Sequence, residues 1–149
     1  MENHSINSQQ IIASGGLFLA KDTKRFLLLL RNHGKTAGTW GFVGGRKEPS
    51  DATPFEALKR EIEEEIGNVD CIKKIVPLEL FTSNDQNFQY NTYVVIVENE
   101  FIPKLNSEHT GYAWCSFDAW PKPLHQGVKA SLGNKVIRAK LELLIDLFE

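Results

Sequence analysis

The sequence predicts an α/β fold. Apolar, β-branched runs of strand length recur along the chain, and two stretches with helical periodicity stand among them, one central and one closing. The length of 149 residues bounds the prediction to one domain, 1–149. With 42% hydrophobic residues, such a chain can build a core without disulfide staples.

The elements follow in order. Residues 1–9 read as a loose polar tail, without the basic and apolar regions of a signal peptide. Ile11 to Ala20 is β-branched and apolar with two glycines, and predicts a strand. Lys21 to Lys24 is a polar turn, and the wholly apolar Phe26 to Leu30 predicts a strand buried on both faces, completing a hairpin. Arg31 to Thr39 reads as a loop. Trp40 to Val43 predicts a short strand that ends in Gly44-Gly45. A well-marked helix follows: Thr53 as N-cap, Pro54 at the first helical position, Glu56 completing a Thr-x-x-Glu capping box, and Gly67 as the stop. Phe55, Leu58, Ile62 and Ile66 form its apolar stripe. Ile72 to Phe81, Tyr90 to Val97 and Tyr112 to Phe117 predict strands, and Pro121 and Pro123 mark a loop. Val136 to Phe148 predicts an amphipathic closing helix, with Ile137, Leu141, Leu144 and Leu147 or Phe148 on one side.

Charge excludes some function classes. Seventeen basic against 19 acidic residues give a net charge of −2, so no general nucleic-acid or membrane surface is expected. A nucleotide-sized anion needs only a local cluster of charge. No apolar run approaches the roughly 18 residues of a membrane span. Cys71 and Cys115 lie far apart and form no C-x-x-C pair; they read as reduced core residues, and the expected compartment is cytoplasmic.

Chemistry concentrates on the central helix. Glu61, Glu64 and Glu65 are three and four residues apart, which places them on one helical face, while Glu63 points elsewhere. Clustered like charges cost a few tenths of a kcal/mol per pair. Arg60 can reach Glu64 across one turn, and a hard divalent cation such as Mg²⁺ or Mn²⁺ would neutralise the cluster through oxygen ligands. Such a site takes substrate phosphates as further ligands, and a carboxylate not used on the metal can act as base. The plain alternative is a charged solvent face. Gly44-Gly45 just upstream favours the metal reading, because backbone without side chains can approach a phosphate or offer a carbonyl.

These residues resemble the Nudix hydrolase family, whose box reads Gly-x5-Glu-x7-Arg-Glu-apolar-x-Glu-Glu-x-Gly-apolar. Arg60, Glu61, Ile62, Glu64, Glu65 and Gly67 match its second half, and Trp40 to Gly45 is similar to its approach. The first half departs: the sixth residue after Gly45 is Asp51, not Glu, and eight residues rather than seven separate it from Arg60. Asp51 is the nearest substitute for the first box carboxylate, and Glu48 a poorer one. The resemblance implies an α/β/α sandwich around a mixed β-sheet, and hydrolysis of a pyrophosphate bond in a nucleoside diphosphate linked to another group. A (d)NTP or nucleotide sugar is the favoured substrate. The alternative is a catalytically silent nucleotide-binding regulator with the same fold. The resemblance also implies Glu61, Glu64, Glu65 and the Gly44 carbonyl as metal ligands, Glu61 as a base, and Arg60 as the residue that orients the carboxylates.

Beyond the box, Glu108 is a candidate ligand and His109 a candidate loop base, since histidine titrates near neutrality; Glu98 and Glu100 are rivals for the ligand. Arg46, Gly45, Arg31 and Phe42 are the candidate substrate contacts, with Lys47 a further phosphate contact. Trp40, Phe42, Phe88 and Tyr90 could stack on a base or pack in the core. His4, His33 and His125 carry no specific signal. A homodimer is compatible with the sequence, and no residue pattern marks its interface.

Overall fold

A computed structural model describes residues 10–147. The predicted tail at 1–9, with His4, and Phe148 of the closing helix lie outside the described residues. The strands are β1 (Ile11–Ala20), β2 (Phe26–Arg31), β3 (Trp40–Gly41), β4 (Val43–Arg46), β5 (Ile72–Thr82), β6 (Phe88–Val97) and β7 (His109–Cys115). The helices are α1 (Pro54–Ile66), α2 (Gln126–Gly133) and α3 (Lys135–Asp146). They form a mixed seven-stranded sheet with helices on both faces, the α/β/α sandwich expected.

The sheet runs β3-β2-β1-β6-β5, with β4 also on β1 and β7 also on β2. β6 pairs parallel to β1 along its whole length, from Ile11↔Phe88 to Ala20↔Val97. β1 has only one other edge, and two strands share it. β4 takes Ala13 to Gly16, while β2 takes Phe18 and Leu19. The sheet therefore forks at the middle of β1, and the chemistry described below sits at that fork.

Alternation on the strands builds two cores. Even-numbered Phe18 and Ala20 of β1, with Val43, Val95 and Val97, pack under α1 against Leu58, Ile62 and Ile66. Odd-numbered Leu17 and Leu19, with Val94 and Ile96, pack on the other face against Val128, Leu132, Ile137 and Leu141 of α2 and α3. A fully buried Leu or Phe contributes about 1.5–3 kcal/mol, so each face anchors its helices firmly. Leu58 is wholly buried, and its methyl group lies 3.1 Å from where a Cβ on Gly16 would sit. The stretch thus needs a small residue on β1 for α1 to close down on the sheet.

The α1 caps form as expected. The Thr53 side chain accepts from the Glu56 amide at 3.1 Å, Pro54 opens the helix, and Gly67 closes it at φ 86°. Phe55 departs from the predicted stripe: it is 37% exposed, with its ring 5.9 Å from that of Tyr93. Glu65 takes a buried place on the helix instead. Other boundaries also shift. Gly44-Gly45 do not follow a strand but lie inside β4, because β1 supplies a pairing partner for them. β7 begins at His109 and ends at Cys115, where Tyr112 to Phe117 was expected. The loop after Pro123 leads into the short helix α2, which its weak apolar pattern hid. On α3, Ile137 and Leu141 are buried but Leu147 is exposed, since the helix ends at Asp146.

Candidate active site

The flank of α1 beside its apolar stripe lies against β4. Glu65 is 2% exposed, and its carboxylate accepts from the Gly44 amide at 3.1 Å. The Glu61 carboxylate fills the space that Gly45 leaves open: a Cβ on Gly45 would lie 2.7 Å from its Cδ. A Cβ on Gly44 would lie 2.7 Å from the Gly15 Cα and would strike the Ser14 carbonyl. Gly44 is therefore required by the β1 backbone, and Gly45 leaves the place that the Glu61 carboxylate takes.

Glu61 and Glu65 lie close enough for each carboxyl group to act on the other, and two ionised carboxylates there repel. Burial raises the affinity of Glu61 for its proton, and Arg60 opposes this. Burial pushes Glu65 up to about 9; the Gly44 amide opposes the shift, and the charges of Glu61 and Glu108 reinforce it. Glu108, half-buried before β7, is thus within electrostatic reach of Glu65.

Arg60 organises the outer half of the site. Its guanidinium donates to Asp51 at 2.9, 3.1 and 3.2 Å, to Glu64 at 3.1 and 3.2 Å, to Glu61 at 3.3 Å, and to the Arg46 carbonyl at 3.1 Å. Glu48 lies 3.5 Å away. Asp51 is buried and also accepts from the Glu48 amide at 2.8 Å; Arg60 first, then that amide, hold its carboxyl below the usual range. The longer box loop thus brings a shorter acid to the arginine. Asp51 is its anchor, and Glu48 a weaker, exposed contact. Glu64, 54% exposed, faces Arg60 rather than the Glu61–Glu65 pair. Among the described residues, no three His, Cys, Asp or Glu side chains stand together as a ready metal cluster.

The other predicted residues divide. His109 is not a loop residue: it opens β7 opposite Arg31 and is 4% exposed. Burial, then the Arg31 charge, hold its imidazole down to about 4. Neither ring nitrogen has a hydrogen-bond partner among the described residues. Arg31 donates through Nε to Thr36 Oγ1 at 2.6 Å. Phe42 is buried in the α2/α3-side core, which leaves its ring no open face. The Arg46 side chain is exposed. Glu98 and Glu100 are engaged elsewhere, with Lys21 and Lys73 and with Arg25 respectively. His125 caps α2, its Nδ1 accepting from the Gly127 amide at 3.0 Å. Tyr90 belongs to the site more closely than stacking or packing suggested: its ring covers Gly15, and its hydroxyl lies within the field of Glu65. The sequence signal was Gly15 itself, a glycine inside a strand where something approaches the backbone closely.

A divalent cation fits the donor set. Hard oxygens surround the fork of β1, two of them neighbouring carboxylates whose repulsion a cation would relieve. The NUDIX domain model matches residues 11–133. The chain belongs to the NUDIX family. As a Nudix-type pyrophosphohydrolase, it acts on pyrophosphate bonds in nucleoside diphosphate derivatives. No curated protein matches the chain. Solved structures share the Nudix fold. A MutT NUDIX hydrolase from Burkholderia pseudomallei superposes with a TM-score of 0.65 at 24% identity, covering 83% of this chain and 96% of that one. The NUDIX domain of Shewanella oneidensis NrtR, complexed with ADP ribose, reaches 0.70 at 15% identity over 95% and 99%. A C. elegans Ap4A hydrolase in a binary complex reaches 0.64 at 19% identity over 89% and 97%. No helix among the described residues is long and apolar enough to cross a membrane.

Proposed function

We propose that this Nudix domain hydrolyses a nucleoside diphosphate derivative, a (d)NTP or nucleotide sugar, by attack of water on one phosphorus. The observation that carries the reading is the pair of carboxylates, half-buried Glu61 and buried Glu65, set against the two glycines of β4. These two carboxylates, the Gly44 carbonyl and Glu64 once released from Arg60 would hold Mg²⁺ or Mn²⁺. The bound ion would neutralise phosphate charge and lower the pKa of a coordinated water.

The chain's own residues do the rest. The Gly44 amide fixes Glu65. Arg60, anchored on Asp51, sets the rotamers of Glu61 and Glu64. Gly45 leaves room for Glu61 and for a phosphate oxygen. Arg46, exposed beside it, and Arg31 supply positive charge to the substrate. Among the base candidates His109 is the poorest, because burial weakens its imidazole and its nitrogens are closed off. The base on this reading is Glu61, a member of the pair, or Glu108, whose charge acts on Glu65.

Incubation with Mg²⁺ or Mn²⁺ and a panel of (d)NTPs, nucleotide sugars and dinucleotides tests this, with products identified by mass spectrometry. In ¹⁸O-labelled water, one phosphate product carries the label. A wild-type protein that binds these nucleotides but turns none over refutes the hydrolytic reading and favours a silent binding domain.

A further inference from the structure

We propose that Tyr90 is a substrate-binding residue, whose hydroxyl donates a hydrogen bond to a phosphoryl oxygen of the diphosphate. This rests on the reading above, that the fork of β1 holds a nucleoside diphosphate derivative.

The argument starts from β1. Gly15 lies between β4, where Gly44 opposes it, and β6, where Thr92 opposes it. Tyr90 stands two residues before Thr92 on the same face of β6, and its ring leans along the strand over Gly15. A Cβ on Gly15 would lie 2.9 Å from the Tyr90 Cζ and would strike the hydroxyl. The phenol therefore reaches the fork only because residue 15 has no side chain. Phe88 stacks on this ring at 6.2 Å and 26°, and the α2/α3-side core packs against its flank. Position and orientation are thus set before any ligand arrives.

The hydroxyl itself has no hydrogen-bond partner among the described residues, although buried tyrosines normally find one. It is not sealed in either: Thr92, His109 and Trp120 have fully enclosed polar atoms without partners, and Tyr90 is not among them. Its oxygen therefore keeps some solvent contact beside Gly15. The two charged groups that act on it are Glu65 and Arg31. Burial, and then the Glu65 charge, both favour the protonated phenol, so it serves as a neutral donor. Among the described residues Arg31 donates through Nε alone, which leaves its two terminal nitrogens for a ligand. A donor hydroxyl and a guanidinium beside a carboxylate pair match a diphosphate, with one phosphate toward the carboxylates and the other toward Tyr90 and Arg31. A base or sugar alone offers no comparable charge to this combination.

Tyr90→Phe keeps the ring and removes only the donor. Calorimetry with Mg²⁺ and α,β-methylene-ADP, a non-hydrolysable nucleoside diphosphate, reads binding without turnover. A hydrogen bond to a charged oxygen predicts a Kd about tenfold or more weaker in Tyr90→Phe. KM for hydrolysed substrates should rise by a similar factor with kcat within about threefold, and the ligand-free melting temperature should be unchanged or higher. Equal Kd values, or a fall in ligand-free stability that accompanies the lost affinity, overturn the proposal. Turnover by the wild type with an unchanged KM in Tyr90→Phe rejects Tyr90 and leaves the hydrolytic reading standing. Binding of the analogue by the wild type, weakened in Tyr90→Phe, with no turnover of any nucleotide, supports Tyr90 and rejects hydrolysis. A wild type that neither binds the analogue nor turns over a nucleotide overturns both.

Discussion

Asp51 and Glu65 are both nearly buried acids of one site, yet they titrate in opposite directions. Asp51 receives three contacts from Arg60 and an amide, and its carboxyl is held below the usual range. Glu65 receives one amide and faces Glu61 and Glu108, and it is pushed up to about 9. Burial leads at Glu65, where further carboxylates add to it, whereas at Asp51 it is outweighed by the cation and the amide that the chain supplies. Arg60 thereby completes the outer half of the site as structure, and the inner half is the part that the proposed function gives to a divalent cation.

The largest effect should come from the inner pair. Glu65→Gln and Glu61→Gln should each lower kcat by about 10³-fold, as for loss of transition-state charge stabilisation. Glu64→Gln should cost about 10²-fold, because Glu64 must first leave Arg60. Steady-state kinetics under saturating Mg²⁺ rank the three, and a Glu64 effect exceeding that of Glu65 would reverse the assignment of inner and outer acids. Gly45→Ala should lower kcat by about tenfold or more by pushing the Glu61 carboxylate aside, with little loss of stability because a side-chain terminus can yield. A crystal structure of that variant with Glu61 unmoved would contradict the steric account.

Asp51→Asn should act through Arg60. It should lower stability by about 1–3 kcal/mol through loss of a charge-assisted network, with a smaller fall in kcat than at Glu64. Denaturant melts and kinetics on the same preparation separate the two effects. A kcat loss equal to that of Glu65→Gln would make Asp51 a ligand rather than an anchor.

The subtlest test is pH. Glu65 in the folded chain holds its proton up to about 9, against an ordinary value of 4.5. Between these values the native state binds more protons than the unfolded state, so metal-free stability should fall as pH rises from about 5 to 9. Glu65→Gln should flatten that slope. Asp51 has a lowered pKa, so its contribution is complete above its ordinary value of 3.8 and fades only in acid. Asp51→Asn should therefore leave the slope from 5 to 9 intact. Thermal melts in a chelator across that range distinguish the two acids.

The sequence carried the inner half of this comparison better than the outer. Period and capping residues located α1, since Thr53, Pro54 and Gly67 act locally and their signals lie beside the residues they cap. Spacing put Glu61 and Glu65 on one face, but it could not show that Glu65 points into the sheet and Glu64 toward solvent. That division depends on the tilt of α1 over Gly16 and on β4 joining β1. Asp51 looked like a displaced ligand because the box loop is longer; only the folded loop shows that its carboxylate meets Arg60. His109 read as a loop residue because Gly111 and the polar Ser107 and Glu108 surround it, yet pairing with Arg31 draws it into β7. Tyr90 and Gly15 are far apart in sequence, and their contact arises from parallel pairing of β1 with β6, which no local pattern announces.

The central claim is that the inner carboxylates bind the cation and that Asp51 does not. Isothermal titration of Mn²⁺ into the wild type, Glu65→Gln and Asp51→Asn measures this directly. The predicted result is affinity lowered by at least about tenfold in Glu65→Gln and unchanged within about threefold in Asp51→Asn. Wild-type affinity in Glu65→Gln, or the larger loss in Asp51→Asn, would contradict it.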